Sequence, residues 1–207
     1  MNRIIDITAT LSPRLAVWPG DTGFRRDIRM RMADGEFVDL SAMSTTLHAG
    51  THADAPAHIV LGAQAVDEID LAPYLGPCEV IEVSLAPRER ILPRHLPGAV
   101  RAPRVLFKTS SYPDPETFTE DFNALSPELI LALKDQGCLL IGLDTPSVDP
   151  YDSAELESHN ALFKAGLRCL EGLRLAGVAP GLYFLSALPL KIEGGDGSPV
   201  RAVLQEV

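Results

Sequence analysis

From His48 to His58 the chain reads H-A-G-T-H-A-D-A-P-A-H, and every position that is neither histidine nor the aspartate is Ala, Gly, Thr or Pro. Three of the five histidines in the protein and one carboxylate fall within eleven residues, on a backbone with almost no bulk to hold them apart. A fold that accepts this segment has to bring those side chains to one point. His48 and His52 have the spacing that stacks two imidazoles on a helix face, but Gly50 and Thr51 are weak helix formers and Pro56 pushes Ala55 out of the helical region. The segment is predicted instead to leave a strand through Thr45-Thr46-Leu47 and enter a compact loop. Imidazole nitrogens with a carboxylate oxygen suit Zn2+, Mn2+ or Fe2+. No thiolate belongs to the set, which argues against a structural cysteine-type zinc site and for a catalytic one that keeps a position for water. Any one of these histidines alone reads as a polar loop residue satisfied by backbone; three with an aspartate at this spacing read as a site.

Charge narrows the partners. Lys+Arg of 18 against Asp+Glu of 28 leave a formal net charge of −10, and the longest basic run is the pair Arg25-Arg26. Neither a nucleic acid nor an anionic membrane is expected as a partner. Cys78, Cys138 and Cys169 are odd in number and form no C-x-x-C pair, so they read as core thiols in a reducing compartment. Asp6 and Arg14 stand where an export signal needs an apolar core, and a cytoplasmic protein is expected. The longest uncharged run, Leu175 to Leu190, has 16 residues and contains Pro180 and Pro189, too short and too broken to span a membrane. No repeat, low-complexity tract or Ser/Gly/Pro linker interrupts the 207 residues, so 1–207 is expected to form a single domain.

Short β-like runs dominate: Arg3–Thr8, Val38–Leu47, Glu79–Leu85, Val105–Thr109, Cys138–Leu143 and Gly181–Ile192, several bounded by Gly or Pro. The clearest helix is Pro127–Gln136, with Ser126 as N-cap, Pro127 opening it, Glu128 near the positive dipole end and Gly137 as its stop. A second helix is expected within Ser153–Leu170, with Gly166 as the point that splits it. GLYFLSALPLKI, EGGDG and SPVRAVL read together as a hairpin with a Gly/Asp turn. The fold class is mixed α/β, richer in strand than in helix.

The other two histidines lack such density: His95 sits between prolines in a surface loop, and His159 on the second helix reads, taken alone, as structural. The motif His48–His58, however, resembles the H-x-G-T-H-x-D-x-P-x-H signature of the metal-dependent cyclase family, and within it the bacterial kynurenine formamidases (arylformamidases). Further stretches carry the resemblance: IIDIT at Ile4–Thr8, Trp18-Pro19-Gly20-Asp21, GLDTPSVD at Gly142–Asp149, and ALPLKIEGGDGSPVRAVL near the end. It implies a swivelling β/β/α fold, a homodimer or larger homo-oligomer, and two divalent metal ions per chain, zinc with manganese as the alternative. By motif position, His48, His52 and Asp54 hold the first metal, and Asp54 bridges to a second held by His159 and Glu171. His159 and Glu171 would stand about 120° apart on a straight helix, so they meet only if the chain breaks between them, at Gly166. The resemblance makes His58 the acid/base group and Trp18 an aromatic wall for an aryl formamide substrate. The implied reaction is hydrolysis of N-formyl-L-kynurenine to L-kynurenine and formate. Two other readings stay open: a related cyclic-amide hydrolase of the isatin hydrolase kind, and a non-catalytic module whose metal ties the loop to the sheet. A serine hydrolase is disfavoured because no G-x-S-x-G element occurs.

Overall fold

The computed structural model describes residues 3–207. Strands β1 (Ile4–Asp6), β2 (Arg25–Met30), β3 (Leu40–Ser44) and β4 (His52–Asp54) precede the longest, β5 (Leu75–Glu82). Then come β6 (Arg90–Ile91), β7 (Arg104–Lys108), β8 (Ala124–Leu125), helix α1 (Pro127–Asp135), β9 (Leu140–Leu143) and helix α2 (Glu157–Lys164). β10 (Arg168–Leu170), β11 (Gly181–Ser186), β12 (Gly197–Pro199) and β13 (Val203–Glu206) follow.

Seven strands form the central sheet in the order β1-β13-β11-β5-β7-β9-β10. β5 is its switch: it pairs antiparallel with β11 from Leu75 to Val80 and parallel with β7 from Glu79 onward. The half from β1 to β5 is therefore antiparallel and the half from β5 to β10 parallel. Side-chain alternation sorts the parallel half into two cores. Val105, Phe107, Ile141 and Cys169 pack with Leu129, Ile130 and Leu133 of α1 and Leu162 of α2. Leu106, Leu140 and Leu170 point the other way, into a cluster with Ala53, Ala55 and Tyr74. Full burial of one such leucine is worth roughly 1.5–3 kcal/mol. The architecture is the expected mixed, strand-rich α/β class.

Helix α1 starts as its sequence dictates. The Ser126 hydroxyl accepts from the Leu129 amide (3.1 Å), Pro127 opens the helix and Glu128 lies in the first turn. The second helix lies within the expected stretch and stops at Lys164, just before Gly166, which at φ +71° turns the chain; β10 follows parallel to β9. Two other expectations need correction. The run Val38–Leu47 contributes only β3, which ends at Ser44 and pairs with β2 in an exposed two-stranded ribbon. The predicted C-terminal hairpin is half right. β11 does pair with β13, starting from Ser186 opposite Val203, but 187–202 is no tight turn: within it β12 pairs with β4. The reason is backbone satisfaction, since a buried strand at the motif needs partners on its edges.

Candidate metal centre

The segment predicted as a loop is a strand at its heart. Period-two alternation puts His52 and Asp54 of β4 on one side and buries Ala53 in the core on the other. On one edge of β4 lies β12; on the other, the His52 amide donates to the Glu171 carbonyl (3.1 Å) and the Glu171 amide to the His52 carbonyl (3.0 Å). Glu171, directly after β10, is thereby locked beside His52. The next residue explains the close approach. Gly172 has φ +63°, and a Cβ there would sit 2.1 Å from the Gly50 carbonyl oxygen, so only glycine fits.

His159 arrives from the first turn of α2. Asp149 holds that helix: its carboxylate accepts from the amides of Ser158 (2.8 Å) and His159 (3.0 Å), the donors a helix start leaves free. The same Oδ2 accepts from His159 Nδ1 at 2.8 Å, and Arg90 approaches Oδ1 at 3.4 Å. These contacts hold the Asp149 carboxyl at about 2: burial works against its charge, but the donors from His159 and Ser158 outweigh it.

The side chains converge in one pattern. Asp54 Oδ1 lies 3.4 Å from His52 Nε2 and its Oδ2 3.2 Å from His159 Nε2. Glu171 Oε2 lies 3.2 Å from His52 Nε2 and its Oε1 3.4 Å from His159 Nε2. Each carboxylate thus presents one oxygen to each imidazole. All four residues are buried. His48 joins from the turn before β4, with Nδ1 2.9 Å from Asp54 Oδ1. The outer nitrogens settle the tautomers, because a carbonyl or carboxylate can only accept: His52 Nδ1 donates to the Gly50 carbonyl (2.9 Å) and His159 Nδ1 to Asp149. In the neutral rings the inner Nε2 atoms are then lone pairs facing carboxylate lone pairs, an arrangement that a bound cation would satisfy. Without one, burial disfavours a second proton on these rings, but the carboxylates overcome it. They raise His52 to about 10 and lift His159 well above its usual value. Separations of 3.2–3.4 Å also match the edge of about 3.3 Å expected between donors bound tetrahedrally at about 2.0–2.1 Å. The donor set fits a divalent metal.

His58 stands on a short 3-10 turn, Pro56–His58, at the mouth of the site. Its ring centroid is 4.2 Å from that of His48 and 5.9 Å from that of His159, and burial pulls its pKa below the ordinary imidazole value. A cavity of about 590 Å3 opens here, bordered by Trp18, Tyr151, His48, His58, His159 and Glu171. Trp18 lines it from the same chain, stacked at 5.1 Å and 30° on Tyr151 and backed edge-on by Phe118 at 5.5 Å. A second cavity of about 540 Å3 lies by Met43, Leu188 and Val200 and has no imidazole, so volume alone does not locate the site. His95 lies apart, its Nδ1 accepting from the Leu92 amide. Reading the sequence assembled His48, His52, Asp54, His58, His159 and Glu171, and the fold brings all six together. Two residues at the site carry no such signal in the sequence: Asp149 lies inside the GLDTPSVD stretch and Asp196 inside the EGGDG turn; Cys169, a core thiol as expected, also lies 3.6 Å from Asp54 Oδ2.

The chain is similar over its full length to known proteins. A kynurenine formamidase of Salinibacter ruber is 45% identical over 98% of this chain and 97% of its own length. A predicted metal-dependent hydrolase from Bacillus stearothermophilus superposes with a TM-score of 0.83 at 28% identity, covering 100% of both chains. Isatin hydrolase A from Labrenzia aggregata superposes with a TM-score of 0.83 at 27% identity, over 98% of this chain and 93% of its own. The Cyclase family model matches residues 5–150, most of the chain, and on that match and these full-length likenesses the chain belongs to the Cyclase family.

Proposed function

We propose that this amidohydrolase cleaves N-formyl-L-kynurenine to L-kynurenine and formate at a centre of two divalent metal ions, zinc or alternatively manganese. One observation carries the reading: both buried carboxylates, Asp54 and Glu171, turn one oxygen to His52 and the other to His159. Such a set of two carboxylates between two imidazoles would suit divalent cations held side by side. His48, His52 and Asp54 would hold one ion, and Asp54, His159 and Glu171 the other. When bound, such ions make water a competent nucleophile at neutral pH and polarise a carbonyl. The protein's residues do the rest. Trp18 and Tyr151 offer a flat aromatic wall to the aryl ring beside the scissile bond. His58, its pKa lowered and its ring neutral at pH 7, takes a proton as water adds to the formyl carbon. It returns that proton to the aryl amine nitrogen as the C–N bond breaks.

The reading extends to the whole chain as one hydrolase domain, 1–207, working in the cytoplasm as a homodimer or larger homo-oligomer. Support for a second copy comes from the β2–β3 ribbon, which exposes Ile28, Phe37, Val38, Leu40 and Met43, with Phe37 95% accessible. Three buried free thiols suit a reducing compartment, and among the described residues no helix is long and apolar enough to cross a membrane. The cavity that opens onto the metal ligands works against a purely structural metal module. Likeness to an isatin hydrolase keeps cyclic amides as the second reading. Purified protein assayed with both substrates separates them: formate and L-kynurenine should appear with the higher kcat/KM, and faster cleavage of isatin would transfer the assignment to the cyclic-amide reading.

A further inference from the structure

Two of the three imidazoles that face Asp54 have an acceptor behind them, the Gly50 carbonyl for His52 and Asp149 for His159. The third has one as well. His48 Nε2 lies 3.2 Å from Asp196 Oδ2, on the side of the ring away from Asp54, and His58 Nδ1 lies 3.7 Å from that same oxygen. Asp196 comes from the EGGDG segment, 148 residues along the chain from His48, and its placement is built. The Ala55 amide donates to the Asp196 carbonyl (2.9 Å), the Val66 amide to the Gly195 carbonyl (2.8 Å), and the Gly194 amide to Asp67 Oδ1 (3.0 Å). Gly197 pairs with Asp54 in the β12–β4 ladder, and a Cβ on it would sit 2.8 Å from His48 Cε1. The ring of His48 therefore rests directly on glycine backbone, with the Asp196 carboxylate at its outer edge.

Resting on the metal-centre reading above, we propose that Asp196 is a positioning residue: it fixes the tautomer of His48 so that Nδ1 is the nitrogen offered to the metal. A carboxylate can only accept, so it keeps the His48 proton on Nε2 and leaves the Nδ1 lone pair facing inward beside Asp54. His48 would thus ligate through Nδ1 where His52 and His159 ligate through Nε2. Asp196 is also the more open acceptor, its side chain 49% exposed while Asp149 is buried. Its carboxylate stands between the ring of His48 and that of His58, 3.7 Å from His58 Nδ1.

The test uses Asp196→Ala and Asp196→Asn in the full chain. Zn2+ affinity is measured by competition with a chromophoric chelator, the visible spectrum is recorded after Co2+ substitution, and melting is followed with and without metal. Asp196→Ala should weaken Zn2+ binding about 10- to 100-fold and alter the Co2+ bands while the chelator-stripped protein melts as wild type. Asp196→Asn, which keeps one acceptor oxygen, should lose less. Affinity within about twofold of wild type with an unchanged Co2+ spectrum would overturn the proposal. So would an equal fall in melting temperature with and without metal, which would make Asp196 a strut of its loop. None of these readouts uses formate release, so failure of the formamidase reading would show separately, as a wild-type protein that binds metal and spares the formamide.

Discussion

Replacing Asp149 by Asn alters one atom and forces a choice between two losses. Asp149 Oδ1 faces the Ser158 amide and Arg90, and Oδ2 faces both the amide and Nδ1 of His159. If the new NH2 group takes the Oδ1 side, it points at the Ser158 N–H and Arg90, and a buried donor goes unpaired for about 1–3 kcal/mol. If it takes the Oδ2 side, it opposes the His159 amide and donates to Nδ1. The imidazole proton then moves to Nε2, which points at Asp54 and Glu171 and can no longer ligate. The expected result is a stability loss of about 1–3 kcal/mol in the chelator-stripped protein, together with Zn2+ affinity weakened about 10- to 100-fold. Urea melts and chelator competition measure the two. The sign with pH follows from the carboxyl held at about 2. Its contribution is fully present above its unfolded value near 4 and fades as pH falls toward about 2, so the gap between wild type and variant should narrow over that range. Affinity within about twofold and stability within about 0.5 kcal/mol of wild type would refute the argument.

Three further outcomes are expected. His58→Ala should keep its metal and lower kcat by about 10²- to 10⁴-fold; loss of metal on elemental analysis would make His58 a ligand instead. Trp18→Ala should raise KM for N-formyl-L-kynurenine roughly 2- to 12-fold at unchanged metal content, from the loss of ring stacking, and an unaltered KM would remove Trp18 from the substrate site. Because His52 is raised to about 10 and His159 is also raised in the metal-free protein, metal must displace a proton from each. Apparent Zn2+ affinity should therefore climb with pH from about 7 to 9, with proton release visible by calorimetry in buffers of different ionisation enthalpy. A flat profile from about pH 7 to 9 would contradict it.

Local chemistry made part of this molecule legible in the sequence. Helix α1 was readable because its cap, its first proline and its stopping glycine all act within ten residues, and the motif stood out because histidines and an aspartate crowded small residues. The fold turned those signals into geometry that spacing alone did not show. His52 and Asp54 lie on a strand, two apart on one face, and the compact loop predicted for them ends one residue earlier. Their partners depend on tertiary pairing: Glu171 is locked by backbone bonds to His52, and Asp196 stands just before β12, which pairs with the other edge of β4. EGGDG carried every signal of a local turn, so nothing within the segment announced that it reaches the metal ligands. Asp149 was hidden differently, since capping a helix from eight residues upstream is a contact no local pattern reveals.

The central claim is that His48, His52, Asp54, His159 and Glu171 hold two cations in one working centre. Chelator-stripped protein titrated with Zn2+, with bound metal and formate release from N-formyl-L-kynurenine followed in the same samples, tests it most directly. Activity should rise with metal and reach its plateau at two ions per chain, and Asp54→Ala should retain neither ion nor activity. A plateau at one tightly held ion that His159→Ala leaves in place, or full activity in the stripped protein, would contradict the account.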